Sequence, residues 1–201
     1  MEKLVECVPN FSEGRDQSKI DEIVDHMNTV SQVTVLDVDP GFDTNRTVVT
    51  LVGSTEAIAE AAFKGIKRAA EILDMSQHSG THPRLGATDV CPFIPVSGVS
   101  DDECIELSKQ VGKRVGDELD IPVYLYEKSA QSTERVKLPD IRKGEYEGLA
   151  EKLADPDWKP DFGPAELHVK GGATVMGCRD FLIAYNINLN TRDHRLATDI
   201  A

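Results

Sequence analysis

The chain has 201 residues, 40% hydrophobic and 28% charged, with a mean hydropathy of −0.31. This excludes a disordered chain and a membrane bundle, and points to one soluble domain burying roughly 70% of its unfolded surface. Against 35 acidic residues stand 22 Lys and Arg, a formal charge of −13, which is the wrong sign for nucleic-acid binding, so an anionic small-molecule ligand would need a local basic patch.

In chain order, Leu4-Val5-Glu6-Cys7-Val8 reads as a strand ended by Pro9, and Asn10-Phe11-Ser12-Glu13-Gly14 as a polar turn. Ile20, Ile23, Val24 and Met27 then recur at helical spacing. Residues 33–38 and 47–52 are β-branched strands. Between them, Asp39-Pro40-Gly41-Phe42-Asp43-Thr44-Asn45-Arg46 reads as a connection too long and too polar for a tight hairpin, hence as a functional loop. Ser54 or Thr55 caps the next helix, whose stripe is Ile58, Ala61, Ala62, Ile66, Ala69, Ala70 and Leu73. A loop over 75–86 follows, with two glycines and Pro83 excluding a regular helix around His78 and His82. Residues 89–96 form a strand that Pro92 and Pro95 demote to an edge or bulged position. Ser100-Asp101-Asp102-Glu103 is a capping box opening a helix that runs to Asp120, and 123–126 is a strand. Residues 139–153 have helical character, 155–164 form a proline-rich surface connection around Trp158, and Gly171-Gly172 turns into apolar runs at 173–178 and 181–189. From 190 onward a further helix is expected, with Thr191 as N-cap and too few apolar positions to dock it. Together these elements predict an α/β fold, an α+β sandwich in which a mixed β-sheet carries helices packed mainly on one face.

Cys7, Cys91, Cys104 and Cys178 are isolated, without a CxxC, and read as reduced, buried thiols; Cys178, beside Arg179, alone has a setting that could lower a thiol pKa. Nothing has the order of a signal peptide or a membrane span, so a cytoplasmic protein is expected. His78 and His82 have the spacing of paired zinc ligands, but Gly80 and Pro83 forbid the helix and Ser79 stands where a metalloprotease carries its glutamate. No metal is expected. Two readings remain open for the histidines: backbone-bonded loop residues, or a proton-transfer site formed with Arg84 and Asp89. Asp37, Asp39 and Asp43 read as turn-forming aspartates or as groups around a site where Arg46 holds a carboxylate with its bidentate fork. Lys170-Gly171-Gly172-Ala173-Thr174 is either a plain tight turn or an anion cradle of backbone N–H groups.

Three segments carry a resemblance: residues 4–14, quoted above; Asp43-Thr44-Asn45-Arg46-Thr47-Val48; and Gly80-Thr81-His82-Pro83-Arg84-Leu85-Gly86-Ala87-Thr88-Asp89-Val90-Cys91-Pro92-Phe93-Ile94-Pro95-Val96. They resemble the glutamate formiminotransferases, and Asp157-Trp158-Lys159-Pro160-Asp161-Phe162-Gly163-Pro164 and residues 181–189 extend the likeness along the chain. The resemblance implies a glutamate formimidoyltransferase that moves the formimino group of N-formimino-L-glutamate to N5 of tetrahydrofolate, a step of histidine degradation that feeds one-carbon metabolism. It implies His82 as the catalytic residue, Asp39 and Arg46 as substrate-binding residues, and folate contacts along Gly163, Pro164, Ala165, Glu166, Leu167, His168, Val169, Lys170, Gly171 and Gly172. Of that segment, Gly163, Pro164 and Gly172 match the family pattern, whereas Glu166, His168 and Lys170 depart from it. It further implies an N-terminal subdomain over 1–178, then a connecting strand and the truncated start of a C-terminal subdomain over 179–201. A homo-oligomer, or a partner carrying that second subdomain, is expected to complete the folate site. The alternatives are a non-catalytic folate-binding or interaction module, and an enzyme processing 5-formyltetrahydrofolate, which the lack of an ATP-binding motif disfavours.

Overall fold

The computed structural model describes residues 3–183, 189–191 and 193–200. Two short pieces, β1 (Leu4–Cys7) and β2 (Asn10–Phe11), share one strand position. Pro9 interrupts it because its nitrogen has no hydrogen to donate, while its carbonyl still accepts from Val49 N at 3.0 Å. The helix α1 (Gln17–Asn28) starts where the Asp16 carboxylate accepts from Ser18 N and Lys19 N, and it buries Ile20, Ile23 and Met27. Next come β3 (Val33–Gly41), β4 (Arg46–Gly53) and α2 (Thr55–Ile72), the last capped by Ser54. Beyond them lie β5 (Thr88–Ser97), α3 (Asp101–Leu119) with the expected capping box, β6 (Val123–Leu125), α4 (Leu138–Arg142), α5 (Leu149–Ala154), β7 (Thr174–Cys178) and α6 (His194–Ile200).

The strands form one mixed sheet in which β4 pairs with β3 on one side and with β1 and β2 on the other, and β5 follows, all antiparallel. Beyond β5, β7 and β6 continue the sheet in parallel. Helices α1, α2 and α3 cover the inner face, where Ile23, Ile58, Ile66 and Val111 meet Phe11, Leu51, Phe93 and Met176. Each such large side chain contributes roughly 1.5–3 kcal/mol by leaving water. On the outer face a second cluster joins Val90, Tyr124 and Val175 to Ile141, Leu149 and Leu153, so α4 and α5 roof the parallel half of the sheet. The antiparallel half is different. Along β4, Thr47, Val49 and Leu51 are buried inward whereas Arg46, Val48, Thr50 and Val52 stay half-open on the outer side.

Three expectations are corrected, and one is decided between its alternatives. Asp39, Pro40 and Gly41 continue β3, and the supposed long connection shrinks to a hairpin turn of Phe42, Asp43, Thr44 and Asn45, the last with φ +48°. The reason is position: among the described residues β3 pairs only with β4, and an edge strand with an open face tolerates both aspartates and a proline. Asn10 and Phe11, expected in a turn, pair with β4 and β5. For the strand with Pro92 and Pro95 the bulged alternative holds: it is central, and bulged against both β1 and β2. Finally, the last helix is capped by Asp193, whose carboxylate accepts from Arg195 N at 3.0 Å, while Thr191 only bonds Asp193 N. The helical reading of 139–153 resolves into α4 and α5 around a turn at Gly144. Of the apolar run 181–189, residues 184–188 lie outside the described residues. All four cysteines are buried and free, Cys178 included. Among the described residues no helix is long and apolar enough to cross a membrane.

Candidate functional site

The loop between α2 and β5 is held against the β3–β4 hairpin by a small set of bonds. Asn45 accepts from Gly14 N at 3.0 Å through its side-chain oxygen and donates to Ser79 O at 2.9 Å through its amide nitrogen. Thr81 N donates to Asp43 O at 3.2 Å. At Gly80 a Cβ would stand 2.2 Å from Thr44 O, so only glycine permits the loop to lie this close to the hairpin.

This anchoring sets His82 at the open half of the outer face. Its Nδ1 is 2.7 Å from Pro83 O; a carbonyl only accepts, so Nδ1 carries the hydrogen and Nε2 keeps its lone pair. Burial lowers the His82 pKa, and the nearby charges of Arg46 and Arg142 lower it further. The imidazole is therefore a neutral base at ordinary pH.

Arg46 opens β4 on the same side. Its guanidinium donates from Nε to Asn10 Oδ1 at 2.8 Å and also from Nη2 to that oxygen. Asn10 is 6% exposed and braced by its own bond to Val8 O at 2.8 Å. Burial, then the charge of Arg142, pull the Arg46 pKa down, yet a guanidinium stays charged in proteins. Asp39 is exposed on the neighbouring strand, opposite Val48 and two residues from the Gly41–Arg46 pair, so it shares the face of Arg46.

Asp89 reaches this face through a bulge. Asn10 pairs with Val90 and Phe11 with Thr88, which leaves Asp89 as the extra residue of β5, and such bulges re-aim a side chain. Its carboxylate, almost wholly buried, accepts from Leu85 N at 2.9 Å and from Arg142 Nε at 3.3 Å and Nη2. Arg142, the last residue of α4, thus enters the site from the layer that roofs the other half of the sheet.

His82, Arg46, Asp39 and Asp89 are thereby gathered in one place. Arg84, expected to join them, turns instead to His78, Glu145 and Glu147: Nε donates to His78 Nδ1 at 3.2 Å, and the Nη groups bond the two carboxylates at 2.7 to 2.9 Å. His78 Nε2 meets Asn45 O at 2.9 Å, so both ring nitrogens are occupied and none is left for a metal or a proton shuttle. Together with Ser79, Gly80 and Gly144, these residues line an open cleft of about 450 Å³.

The segment expected to contact folate runs beside Gly116 of α3 at one end and the 85–87 backbone at the other. Lys170 O accepts from Met75 N at 3.1 Å, Val169 O from Tyr146 Oη at 2.6 Å and Gly171 O from Ala87 N at 2.8 Å. Gly171 N and Gly172 N bond His168, Ala173 N bonds Leu85 O and Thr174 N bonds Pro122 O, so the anion cradle of free N–H groups is not formed and the tight-turn reading holds. Gly172 has φ +66°, and a Cβ there would sit 2.1 Å from Leu85 O. Glu166, Val169 and Lys170 are exposed.

Sequence reasoning missed Asn10 and Arg142. Nothing local distinguishes Arg142 within a charged run. Asn10 could have been found only from the pairing, as a buried polar residue two positions from Val8 on a strand facing Arg46.

The sequence profile described as "Formiminotransferase domain, N-terminal subdomain" matches residues 4–179. The chain is 52% identical over 203 residues to a Dictyostelium discoideum protein named formimidoyltransferase-cyclodeaminase, covering 100% of this chain and 38% of that one. It is 48% identical over 201 residues to the glutamate formimidoyltransferase of Streptococcus pyogenes serotype M1, covering 100% of this chain and 67% of the relative. A Thermoplasma acidophilum glutamate formimidoyltransferase is 50% identical over 200 residues, 98% of this chain and 66% of that protein. The chain thus spans well under half of the first relative and about two thirds of the others. A match of this extent means that the chain belongs to the formiminotransferase-domain family, through that family's N-terminal subdomain.

Proposed function

We propose that this chain carries the proton-transfer and substrate-carboxylate residues of a glutamate formimidoyltransferase acting on N-formimino-L-glutamate and tetrahydrofolate. The observation that carries this reading is His82, a neutral imidazole whose Nε2 has no partner among the described residues, beside a guanidinium that is oriented by Asn10 and, among those residues, in no ion pair. A formimino group is an amidine, so attack by N5 gives a tetrahedral carbon bearing three nitrogens and no oxyanion. The reaction needs a mobile proton and an anion near the amidinium. In the proposed step the N5 lone pair bonds the amidine carbon and His82 Nε2 takes the N5 proton. The carbon–nitrogen bond to glutamate then breaks as the same proton passes to the departing nitrogen, which leaves as an amine. Asp39 faces the amidinium and Arg46 holds a carboxylate.

On this reading residues 1–178 form the N-terminal subdomain, 179–201 lead into a second one, and folate lies along 163–172, held by side chains rather than by free backbone N–H groups. The second half of the site comes from another polypeptide segment or a second copy. The protein works in the cytoplasm, in histidine degradation. The test is to mix the chain with both substrates, alone and with the third of the Streptococcus relative that it does not span supplied in trans. Glutamate release and formimino-folate are then read by mass spectrometry. Transfer in either mixture supports the reading; folded polypeptides that bind folate without transfer in both would make this a binding module instead.

A further inference from the structure

Arg46 and Arg142 are built alike. Each guanidinium is gripped along its Nε and Nη2 edge, Arg46 by the Asn10 amide oxygen and Arg142 by the Asp89 carboxylate. Both grips come from well-buried residues, Asn10 and Asp89, at 6% and 1% exposure. In each case Nη1 makes no hydrogen bond among the described residues. An arginine that is locked along one edge and bare at the other has already lost its rotamer freedom, the main entropic cost of binding an anion.

Their placement follows from the register. Val48 of β4 opposes Asn10 of β2, and Asn10 opposes Val90 of β5. The strands bearing Arg46 and Asp89 are thus two spacings apart, about 10 Å, with His82 at the same end. The charges of both arginines reach the imidazole. Around His82 lie two partly buried guanidiniums and the exposed Asp39 carboxylate, with Asp37 exposed one step further along β3. N-formiminoglutamate presents the converse, two carboxylates and one amidinium.

Building on the proposed function, we propose that Arg142 is the second carboxylate-binding residue of the site, and that with Arg46 it selects a dicarboxylate over a monocarboxylate substrate. The Asp89 bulge is then a positioning device, spending one carboxylate to aim a cation. Asp89 itself cannot serve as the anion for the amidinium, because its oxygens already accept from Leu85 and Arg142.

The probe is N-acetyl-L-glutamate, an inert diacid, compared with its α-amide and γ-amide by calorimetric titration into the full chain, with and without tetrahydrofolate. The native chain is expected to prefer the diacid over either monoamide by about tenfold or more, the effect of one charged hydrogen-bonded contact. Arg142→Gln should weaken diacid binding about tenfold to a hundredfold and erase the preference against one monoamide, leaving intact the preference that Arg46 supports. Arg142→Lys keeps a cation beside Asp89, so it guards against misfolding; it should lose the same preference with an unchanged melting temperature. Retention of both preferences in both variants would overturn the assignment, as would a native chain that binds diacid and monoamides alike or binds none of them. Formimino transfer is assayed in parallel. Lost transfer with the Arg142-dependent preference present sinks only the proposed function, and transfer with preferences unmoved by either variant sinks only the role of Arg142.

Discussion

His78 and His82 lie four residues apart on one loop, and their surroundings make them opposites. His78 has both nitrogens engaged, by Asn45 O and by Arg84, so it ties the loop to the hairpin below it. His82 spends one nitrogen on Pro83 O and keeps the other. Burial lowers the pKa of both, so titration alone would not separate them; hydrogen-bond accounting does. The arginines behind them differ in the same sense. Arg84 is paired with Glu145 and Glu147, whose side chains are 44% and 65% exposed, whereas Arg142 is paired with Asp89, whose side chain is 2% exposed. One half of the loop is a latch with wet partners, the other a site with dry ones.

The largest effect should come from His82→Ala, which removes the free base and is expected to lower kcat by on the order of 10² or more with the melting temperature unchanged. His78→Ala should do the reverse, costing about 1–3 kcal/mol of stability through the half-buried bonds it leaves unmade, with a smaller loss of kcat. Steady-state kinetics and thermal melts on both variants decide this. Equal kinetic losses would dissolve the contrast.

Next in size is the proposed carboxylate grip. Arg46→Lys keeps the charge but not the two-pronged contact with Asn10, and it should weaken substrate binding by about 1–3 kcal/mol. Asn10→Ala should act in the same direction through Arg46 alone. An unchanged KM for formiminoglutamate in Arg46→Lys would make the residue structural.

The pH profile sharpens the comparison further. In the proposed step His82 takes up a proton, and its lowered pKa keeps it unprotonated down to lower pH, so the acid limb of kcat/KM should lie below the ordinary imidazole value of about 6.5. Arg46 contributes to that lowering, so Arg46→Gln should move the limb upward while Arg46→Lys leaves it in place. For His78 the sign concerns stability. Its folded pKa is depressed, so the unfolded chain takes up the proton first and stability is lost as pH falls through about 6.5. His78→Gln should flatten that loss in melts recorded between neutral and mildly acidic pH.

Much of the scaffold could be read from the chain because its signals are local. Ser54 caps α2, Ser100 and Glu103 form the box that opens α3, and the apolar stripes of both helices are buried as their spacing implies. The site was only partly accessible. His82 and Arg46 stand out by residue type, but Arg84 was grouped with them by closeness in sequence, and the structure sends it to the 145–147 turn. Asn10 and Arg142 depend on strand register and on where a distant short helix lands. The extension of β3 through Asp39 and Pro40 was missed because polar composition is an edge-strand property as much as a loop property.

The smallest effect tests the wet side of the comparison. Arg84 is buried, and its bond to Glu147 is the first cause holding its pKa up, so the geometry taken alone suggests a strong pair. Glu147, however, is mostly solvated, Glu145 still satisfies the guanidinium, and exposed partners gain little from pairing. Glu147→Gln should therefore cost less than about 1 kcal/mol and leave kcat within about twofold. In the double variant with Glu145→Gln the buried guanidinium has no carboxylate left, so the loss should exceed the sum of the two single changes. Chemical denaturation of the three variants measures this. A large loss from Glu147→Gln alone would show that the latch is as dry as the Asp89 pair, and the division between the two halves of the loop would fail.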